Sequence, residues 1–293
     1  MIKYTVSASK RLWLLACTYI AGLVLASVTL AILLAVGSDS LAMMRIGIVV
    51  QDVLMLVVPA VVTAVIVTRQ PVELLRLGKF PRLQPLLLGL LTLVVATPLM
   101  EAVVQWNEGI TLPSAFSDIE SWLRRLEEQA GGSVEFLLGP HTFGNLAVSI
   151  LLVGVLTGFS EELFFRGALQ RLLASTRMGT HAAVWVAAII FSAVHMQFFG
   201  FVPRMLLGAF FGYLLVWSGS IWLPMIAHTL NNSLYIITRY ANAPEASEAV
   251  SATNTSWGAI IISAAFTAVC LTALYLTCNG KKPDPEQKEP TDE

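Results

Sequence analysis

The amino-acid sequence predicts an all-α polytopic membrane protein, a bundle of about eight transmembrane helices. Three observations predict it. First, 56% of the 293 residues are hydrophobic and only 13% are charged, whereas a soluble domain carries about 25% charged residues. Second, apolar runs approaching or exceeding the ~20 residues that cross a bilayer recur along the chain. Third, Lys and Arg concentrate in alternate loops. With a net charge of −1, the protein has no overall positive charge to attract a polyanion, so no nucleic-acid partner is expected.

Each span follows from its own apolar segment. The first begins behind Lys10 and Arg11 and continues to residue 36. It is longer than the roughly 7–15-residue apolar core of a secretory signal, so we interpret it as a retained span. The fourth is interrupted by charged residues, and the last four are short or closely spaced. The predicted spans are 12–36, 46–68, 83–100, 146–173, 182–199, 202–217, 221–237 and 257–276.

The distribution of basic residues predicts the orientation. With eight spans both termini lie on one side of the membrane, and that side holds thirteen of the eighteen Lys and Arg residues. Because basic loops stay in the cytoplasm, both termini are expected there. No organelle-targeting segment is evident, and the basic N-terminal anchor suits a bacterial inner membrane. We therefore expect an integral protein of that membrane.

Three regions are predicted. Residues 1–142 hold three spans and a long acidic loop on the non-cytoplasmic side, and residues 143–278 form the helical core that carries the polar residues discussed below. Residues 279–293, rich in Lys, Glu, Asp and Pro, are expected to be a disordered cytoplasmic tail.

The acidic loop is expected to contain a short amphipathic helix. Ser117 and Glu120 have the spacing of a capping box. Apolar residues follow at helical intervals, at Ile119, Trp122 and Leu123. Such a helix lies on the outer surface, either packed on the bundle or acting as a substrate lid.

Charged residues inside the fourth span are the first functional signal. Glu161, Glu162 and Arg166 fall within six positions, and each costs about 2.5–3.5 kcal/mol at the centre of a bilayer. They must therefore face protein, water or an interface. Glu162 and Arg166 are i and i+4, which favours an ion pair. Glu161 has Phe165 at its i+4 position, and an unpaired carboxylate in apolar surroundings is typical of a general base. Alternatively, both glutamates only pack helices through hydrogen bonds.

Two further spans carry polar side chains that suit the same chemistry. His195 lies in the fifth span, and His228 and Asn232 lie one turn apart on one face of the seventh. The sequence contains no Gly-x-Ser-x-Gly or His-Glu-x-x-His motif. A glutamate, two histidines and an amide around a cavity between three helices suit hydrolysis of an amide by activated water.

Three motifs carry a family resemblance. Glu161-Glu162-x-x-x-Arg166, Phe191-x-x-x-His195 and His228-x-x-x-Asn232 resemble, in order and spacing, those of the CAAX prenyl endopeptidase and bacteriocin-processing (CPBP, or ABI) family of membrane proteases. The resemblance covers about a third of the chain, residues 143–238. It implies a glutamate-dependent intramembrane endopeptidase that acts on membrane or membrane-associated peptides within the lipid bilayer. Some prokaryotic members are associated with bacteriocin maturation or self-immunity.

The resemblance also implies a role for each motif residue. Glu161 is expected to be the base and His195 its assistant, while His228 and Asn232 stabilise the oxyanion. Glu162 and Arg166 are expected to support the helix. No cofactor is expected, because Asn is a poor zinc ligand and a good oxyanion donor. The alternative is a zinc ion, for which Glu161, His195 and His228 would be the ligands.

Two other functional classes stay open from the residues alone. A non-catalytic membrane scaffold or immunity protein would retain the same polar residues for helix packing. A proton-coupled transporter also uses intramembrane Glu and His, but it predicts inverted repeats and discontinuous helices that are not evident in the sequence.

Overall fold

A computed structural model describes residues 2–36, 40–241 and 256–279, and these residues are almost entirely helical. Within these ranges the only β-type pairing is an isolated bridge between Tyr4 and Thr68. The all-α prediction is therefore confirmed. The longer helices are α1 (Ala8–Val36), α2 (Leu41–Val67), α3 (Leu83–Val95), α4 (Thr97–Glu108), α5 (Ser117–Leu138), α6 (Phe143–Ala174), α7 (Gly179–Ala193), α8 (Phe201–Ser218), α9 (Trp222–Ala241) and α10 (Trp257–Asn279).

The chain is an integral membrane protein, and each of the eight predicted spans overlaps helical structure, although the fifth, 182–199, is helical only as far as Ala193. In the described residues, five helices are long and apolar enough to cross a bilayer: α1, α2, α6, α8 and α10. A sixth span results if α3 and α4 count together, although they meet at a 47° bend. Pro98, at the start of α4, explains the bend because proline lacks the N–H that would continue the hydrogen-bond ladder.

The other two predicted spans, α7 and α9, fall short by this measure for different reasons. Helix α7 has only 15 residues, and α9 is interrupted by polar side chains, among them His228, Asn231 and Asn232. Both pack beside α8 in the bundle. Helix α9 carries the predicted site residues His228 and Asn232, so its polar interruption coincides with the predicted chemistry, whereas His195 lies in the turn just after α7.

Helix α6 occupies the centre of the bundle, with α1, α2, α7, α8 and α9 around it. Its apolar residues Leu163, Phe164 and Phe165 belong to the largest buried cluster, together with residues of α1 and α2. By contrast, α10 exposes large apolar side chains such as Ile261 and Val269. Exposed apolar faces of this kind are suited to lipid.

Two stretches of α6, Ile150–Thr157 and Leu163–Gln170, are π-helical. They flank the single α-helical turn Gly158–Glu162 that carries both glutamates. Wider π-helical turns change the direction in which successive side chains leave the helix, and they are frequent at functional sites.

The helix predicted in the acidic loop exists as α5, but its predicted capping box is wrong. The backbone N–H of Ser117 already donates to Ser114 in a preceding 3₁₀ turn, so Glu120 cannot cap it. Instead the Glu120 carboxylate accepts from the backbone N–H of Leu112 at 2.8 Å and from Arg124 at 2.7 Å. These donors hold the pKa of Glu120 below its ordinary value. With 22 residues, α5 is also longer than predicted.

The predicted regional boundaries stay predictions. Helix α6 begins at Phe143, where the hydroxyl of Thr142 accepts the backbone N–H of Asn145. Of the predicted tail 279–293, all but Asn279 lies outside the described residues.

Candidate active site

The two adjacent glutamates of α6 lie in different surroundings. Glu162 is fully buried and receives a 2.7 Å hydrogen bond from Arg166, whose side chain is also buried. A second nitrogen of Arg166 donates to the backbone carbonyl of Gly208 on α8 at 2.9 Å. Glu161 retains 13% of its side-chain exposure. The predicted i, i+4 pair is therefore present, and Glu161 is the more accessible carboxylate.

Both predicted histidines face Glu161. The Nε2 atom of His228 lies 3.5 Å from Oε2 of Glu161, and Nε2 of His195 lies 3.7 Å from Oε1. These separations exceed an ordinary N–H···O distance of about 2.7–3.2 Å. The structure thus brings together one carboxylate from α6, one imidazole from the turn after α7 and one from α9.

The opposite nitrogen of each ring is anchored. Nδ1 of His195 lies 2.7 Å from the carbonyl oxygen of Phe191, which can only accept, so Nδ1 carries the proton. Nδ1 of His228 lies 2.8 Å from Glu162, the carboxylate already paired with Arg166. We assign Nδ1 of His228 as the donor for the same reason. In the neutral rings both Nε2 atoms are then acceptors turned toward Glu161.

Aromatic rings fix the plane of His228. Phe211 of α8 stacks on the imidazole with ring centroids 4.8 Å apart, and Phe191 of α7 meets it edge-on at 6.0 Å. The guanidinium of Arg166 lies 4.5 Å from the centroid of Phe191. Phe191 therefore separates the ion pair from the ring of His195, which it also contacts edge-on.

Asn232 lies on the same helix as His228, but its side chain reaches a different part of α6. Its amide nitrogen donates to the carbonyl of Val153 at 3.1 Å, and its oxygen accepts from Asn231 at 3.3 Å. A side-chain amide has two N–H donors. If Asn232 stabilises an oxyanion, it does so with its second N–H, because the first is bonded to Val153.

Two glycines of α6 let α9 approach closely. A Cβ at Gly158 would lie 3.3 Å from the backbone nitrogen of Thr229, and a Cβ at Gly154 would lie 2.8 Å from the hydroxyl oxygen of Ser233. The two positions are one helical turn apart, so together they form a groove for α9. This close approach places His228 beside both glutamates. Sequence reasoning missed it, although the Gly154-x-x-x-Gly158 spacing was available as a signal.

A buried aspartate of α2 contacts α6 one turn before Glu161. The hydroxyl of Thr157 donates to Asp52 at 2.7 Å, and Asp52 is only 2% exposed. The partner of this intramembrane aspartate is a hydroxyl from a segment 105 positions away. This contact ties α2 to the turn that carries the glutamates.

The loop that carries His195 is held from the non-cytoplasmic side predicted above. Asn107 of α4 donates to the carbonyl of Phe198 and accepts the backbone N–H of Val202. Glu127 of α5 accepts the backbone N–H of Phe199 at 3.2 Å. Of the two predicted arrangements for α5, this contact corresponds to packing on the bundle, directly over the His195 loop.

The donor set of one carboxylate and two imidazoles suits zinc chemically. In the described ranges no group of three His, Cys, Asp or Glu side chains is arranged so that it could hold a metal ion.

Comparison with known proteins gives a match over the helices that carry the polar residues. Residues 143–234 match a family model described as type II CAAX prenyl endopeptidase Rce1-like. The predicted family resemblance is confirmed. The match spans α6, α7, α8 and most of α9, the helices that carry all three motifs.

A curated relative matches over a similar length. It is an uncharacterized protein, YpbD, of Bacillus subtilis strain 168, and it is 29% identical over 90 residues. That match covers 29% of this chain and 43% of the relative, less than half of either protein. No solved structure matches the chain.

Proposed function

We propose that the protein is an intramembrane endopeptidase that hydrolyses a peptide bond with a water molecule activated by Glu161. The observation that carries the proposal is the convergence of Glu161 with Nε2 of His195 and Nε2 of His228 at 3.7 and 3.5 Å. The two protons of one water match two acceptors, a carboxylate oxygen of Glu161 and Nε2 of His195, which leaves Nε2 of His228 for the oxyanion. The family match of the same helices to an endopeptidase model supports this reaction class.

In the proposed reaction the water oxygen attacks the carbonyl carbon of the scissile amide, and Glu161 takes the proton that the water loses. His195 orients the water through Nε2. The carbonyl oxygen becomes an oxyanion, the C–N bond then breaks, and Glu161 returns the proton to the leaving amine. The products are one carboxyl and one amine terminus.

Oxyanion stabilisation is assigned to His228 and Asn232, with one refinement. The Nδ1 proton of His228 is committed to Glu162, so Nε2 donates only when the ring is an imidazolium. Glu162 stabilises that cation. A single well-placed donor contributes about 3–4 kcal/mol to such a step.

We further propose that the substrate is a membrane-associated peptide, that the protein resides in a bacterial inner membrane, and that both termini are cytoplasmic. Reporter domains fused after Gln129 and after Lys282 test the orientation. The fusion after Gln129 should be non-cytoplasmic and the one after Lys282 cytoplasmic. The opposite pattern would contradict the orientation, and both fusions on one side would contradict the eight-span topology.

The direct test of activity compares native protein with Glu161→Gln in cells and after purification. Membrane proteomes should contain new peptide termini only with the native protein, and these sequences then provide reporters for the purified enzyme. Glu128→Gln on the exposed surface of α5 is the matched control and should cleave normally. Equal cleavage by Glu161→Gln and native protein would contradict the proposal.

A scaffold or immunity protein is the second candidate, favoured by the buried Glu162–Arg166 pair that links α6 to α8. Glu161→Ala and His228→Ala that both fail to fold would support this alternative. Zinc is tested separately, by measuring bound metal and cleavage in a strong chelator. Loss on chelation with recovery on adding zinc would replace the metal-free mechanism.

A further inference from the structure

Away from the glutamates, at the end of the bundle where α6 ends, the protein has a cavity lined by arginines. It measures about 600 Å³, and its walls include Arg11, Arg76 and Arg171. We call it the arginine cavity. A second cavity of about 210 Å³ shares Arg76 and Arg171 and extends toward α8. Glu73 is the acidic residue that lines the arginine cavity, so its lining carries an excess of positive charge.

Arg11 is buried without a counter-ion in the described part of the chain. The residue is only 6% exposed, and its Nε atom is buried without a hydrogen-bond partner among the described residues. Its guanidinium lies 3.6 Å from the centroid of the Tyr4 ring. A ring face attracts the cation but accepts none of the guanidinium protons in the plane of the group. Arg11 therefore keeps unused donors beside the cavity.

Arg76 occupies a backbone position where glycine is usual. Its φ is +58°. The N–H of Leu77 donates to Val72, and the N–H of Arg76 donates to Glu73, which is the pattern of a Schellman motif with Arg76 at the left-handed position. A side chain there strains the backbone, and such strain concentrates at binding and catalytic sites. Arginine at this position places a guanidinium at the wall of the cavity.

The strained segment is fixed in place from α9. The backbone N–H of Ile221 donates to Arg76, and the indole N–H of Trp222 donates to Leu77. Arg171, in the last turn of α6, is held by a bond from its Nε to the carbonyl of Leu74. The side chain of Arg171 and the backbone of Arg76 are therefore fixed in place. None of the three arginines forms an ion pair within the described ranges.

The start of α7 contributes to the same cavity. Thr180, in its first turn, lines the wall, and Met178 at the N-cap offers no side chain to the free backbone N–H groups. The N-terminal end of a helix favours an anion. Guanidiniums from three chain segments and one uncapped helix start thus surround the space.

We propose that the arginine cavity binds a phosphate group. Arg171 ends a membrane span and Arg11 lies near the start of another, so the cavity lies at the level of lipid headgroups if these helices span as described. Guanidiniums pair with phosphate oxygens through two parallel hydrogen bonds, and several of them match its charge. The phosphate belongs either to an anionic phospholipid or to a soluble phosphate compound, because both present the same oxygens.

Two arms of one experiment separate these sources. The full chain in uncharged detergent is titrated with pyrophosphate by calorimetry. In parallel, protein in nanodiscs of phosphatidylcholine, with or without phosphatidylglycerol, is analysed for retained phosphatidylglycerol by native mass spectrometry. Binding in the first arm identifies a soluble ligand, and retention that pyrophosphate does not displace identifies the lipid. Binding in neither arm overturns the proposal.

Arg76→Gly is the decisive variant, because glycine relieves the left-handed backbone while it removes the guanidinium. It should melt at the same or a higher temperature yet bind the phosphate probe about tenfold more weakly, the factor that one charge-assisted hydrogen bond carries. Arg11→Gln should weaken binding similarly. Arg177→Gln, an exposed arginine that lines neither cavity, is the matched control and should bind within about twofold of native. Equal losses in Arg177→Gln and Arg76→Gly, or full binding by Arg76→Gly, would overturn the proposal.

Discussion

Glu162→Gln should destabilise the protein far more than the same change at its neighbour. Glu162 is fully buried and accepts from Arg166 at 2.7 Å and from His228 at 2.8 Å. The amide is nearly isosteric but neutral, so the guanidinium of Arg166, 1% exposed, keeps its charge without a counter-ion. Breaking a buried pair from one side costs about 3–5 kcal/mol. We expect that loss in the free energy of unfolding.

Glu161→Gln is the internal comparison. This side chain is 13% exposed, and its contacts with the two histidines are 3.5 and 3.7 Å long. Separations of this length are too long for ordinary hydrogen bonds, so little stability depends on them. The variant should therefore keep its stability and lose peptide cleavage, because an amide cannot take a proton from water.

The assay is reversible unfolding in mixed micelles of mild detergent and dodecyl sulfate, followed by circular dichroism, with reporter cleavage measured on the same preparations. A double variant, Glu162→Leu with Arg166→Met, is the third protein to compare. Replacing both charges with apolar groups is often nearly neutral, so the double variant should be more stable than Glu162→Gln. Equal stability of the Glu161→Gln and Glu162→Gln variants would refute the assignment of one glutamate to chemistry and the other to support.

Three further predictions concern packing and pH. Gly158→Ala should slow reporter cleavage at least several-fold because the added methyl displaces α9 by a few tenths of an ångström, whereas Gly132→Ala, with open space around it, should keep full activity and gain up to about 1 kcal/mol of helix stability. Thr157→Val removes the donor to buried Asp52 and should cost about 1–3 kcal/mol in the same unfolding assay; an unchanged midpoint would contradict the role of that contact. Because the pKa of Glu120 is held below its ordinary value, its contribution is present above the unfolded value of about 4.3 and is lost as the pH falls through the lower folded value. Pepsin cleavage of the segment before α5 should therefore rise at low pH in native protein, and Glu120→Gln should flatten that dependence.

Local spacing was enough to predict some contacts of the site. The Glu162–Arg166 pair follows from the i, i+4 geometry of any helix, and its formation depends on no other segment. The helical nature of the spans follows equally directly, because backbone groups in lipid must be satisfied within their own helix. The same logic failed at Ser117, where a preceding turn had already taken the N–H that a capping box requires.

Contacts between distant segments could not be predicted from the sequence. The hydrogen bond between His228 and Glu162 joins residues 66 positions apart, and the one between Thr157 and Asp52 joins residues 105 positions apart. Both depend on how deeply α9 and α2 approach α6. Small residues such as Gly158 set that distance, and their effect depends on which helix lies opposite.

The sequence by itself determined that this chain crosses a membrane as helices and that a glutamate, two histidines and an asparagine occupy expensive positions within it. Composition, run length and helical period are properties of one segment, so they can be read without knowing which helices pack against it. Only the tertiary structure decided that His228 spends its Nδ1 proton on Glu162, that Asn232 donates to Val153, and that three arginines from separate segments surround one cavity. Directional hydrogen bonds and charge clusters depend on where distant segments meet, and packing alone determines that.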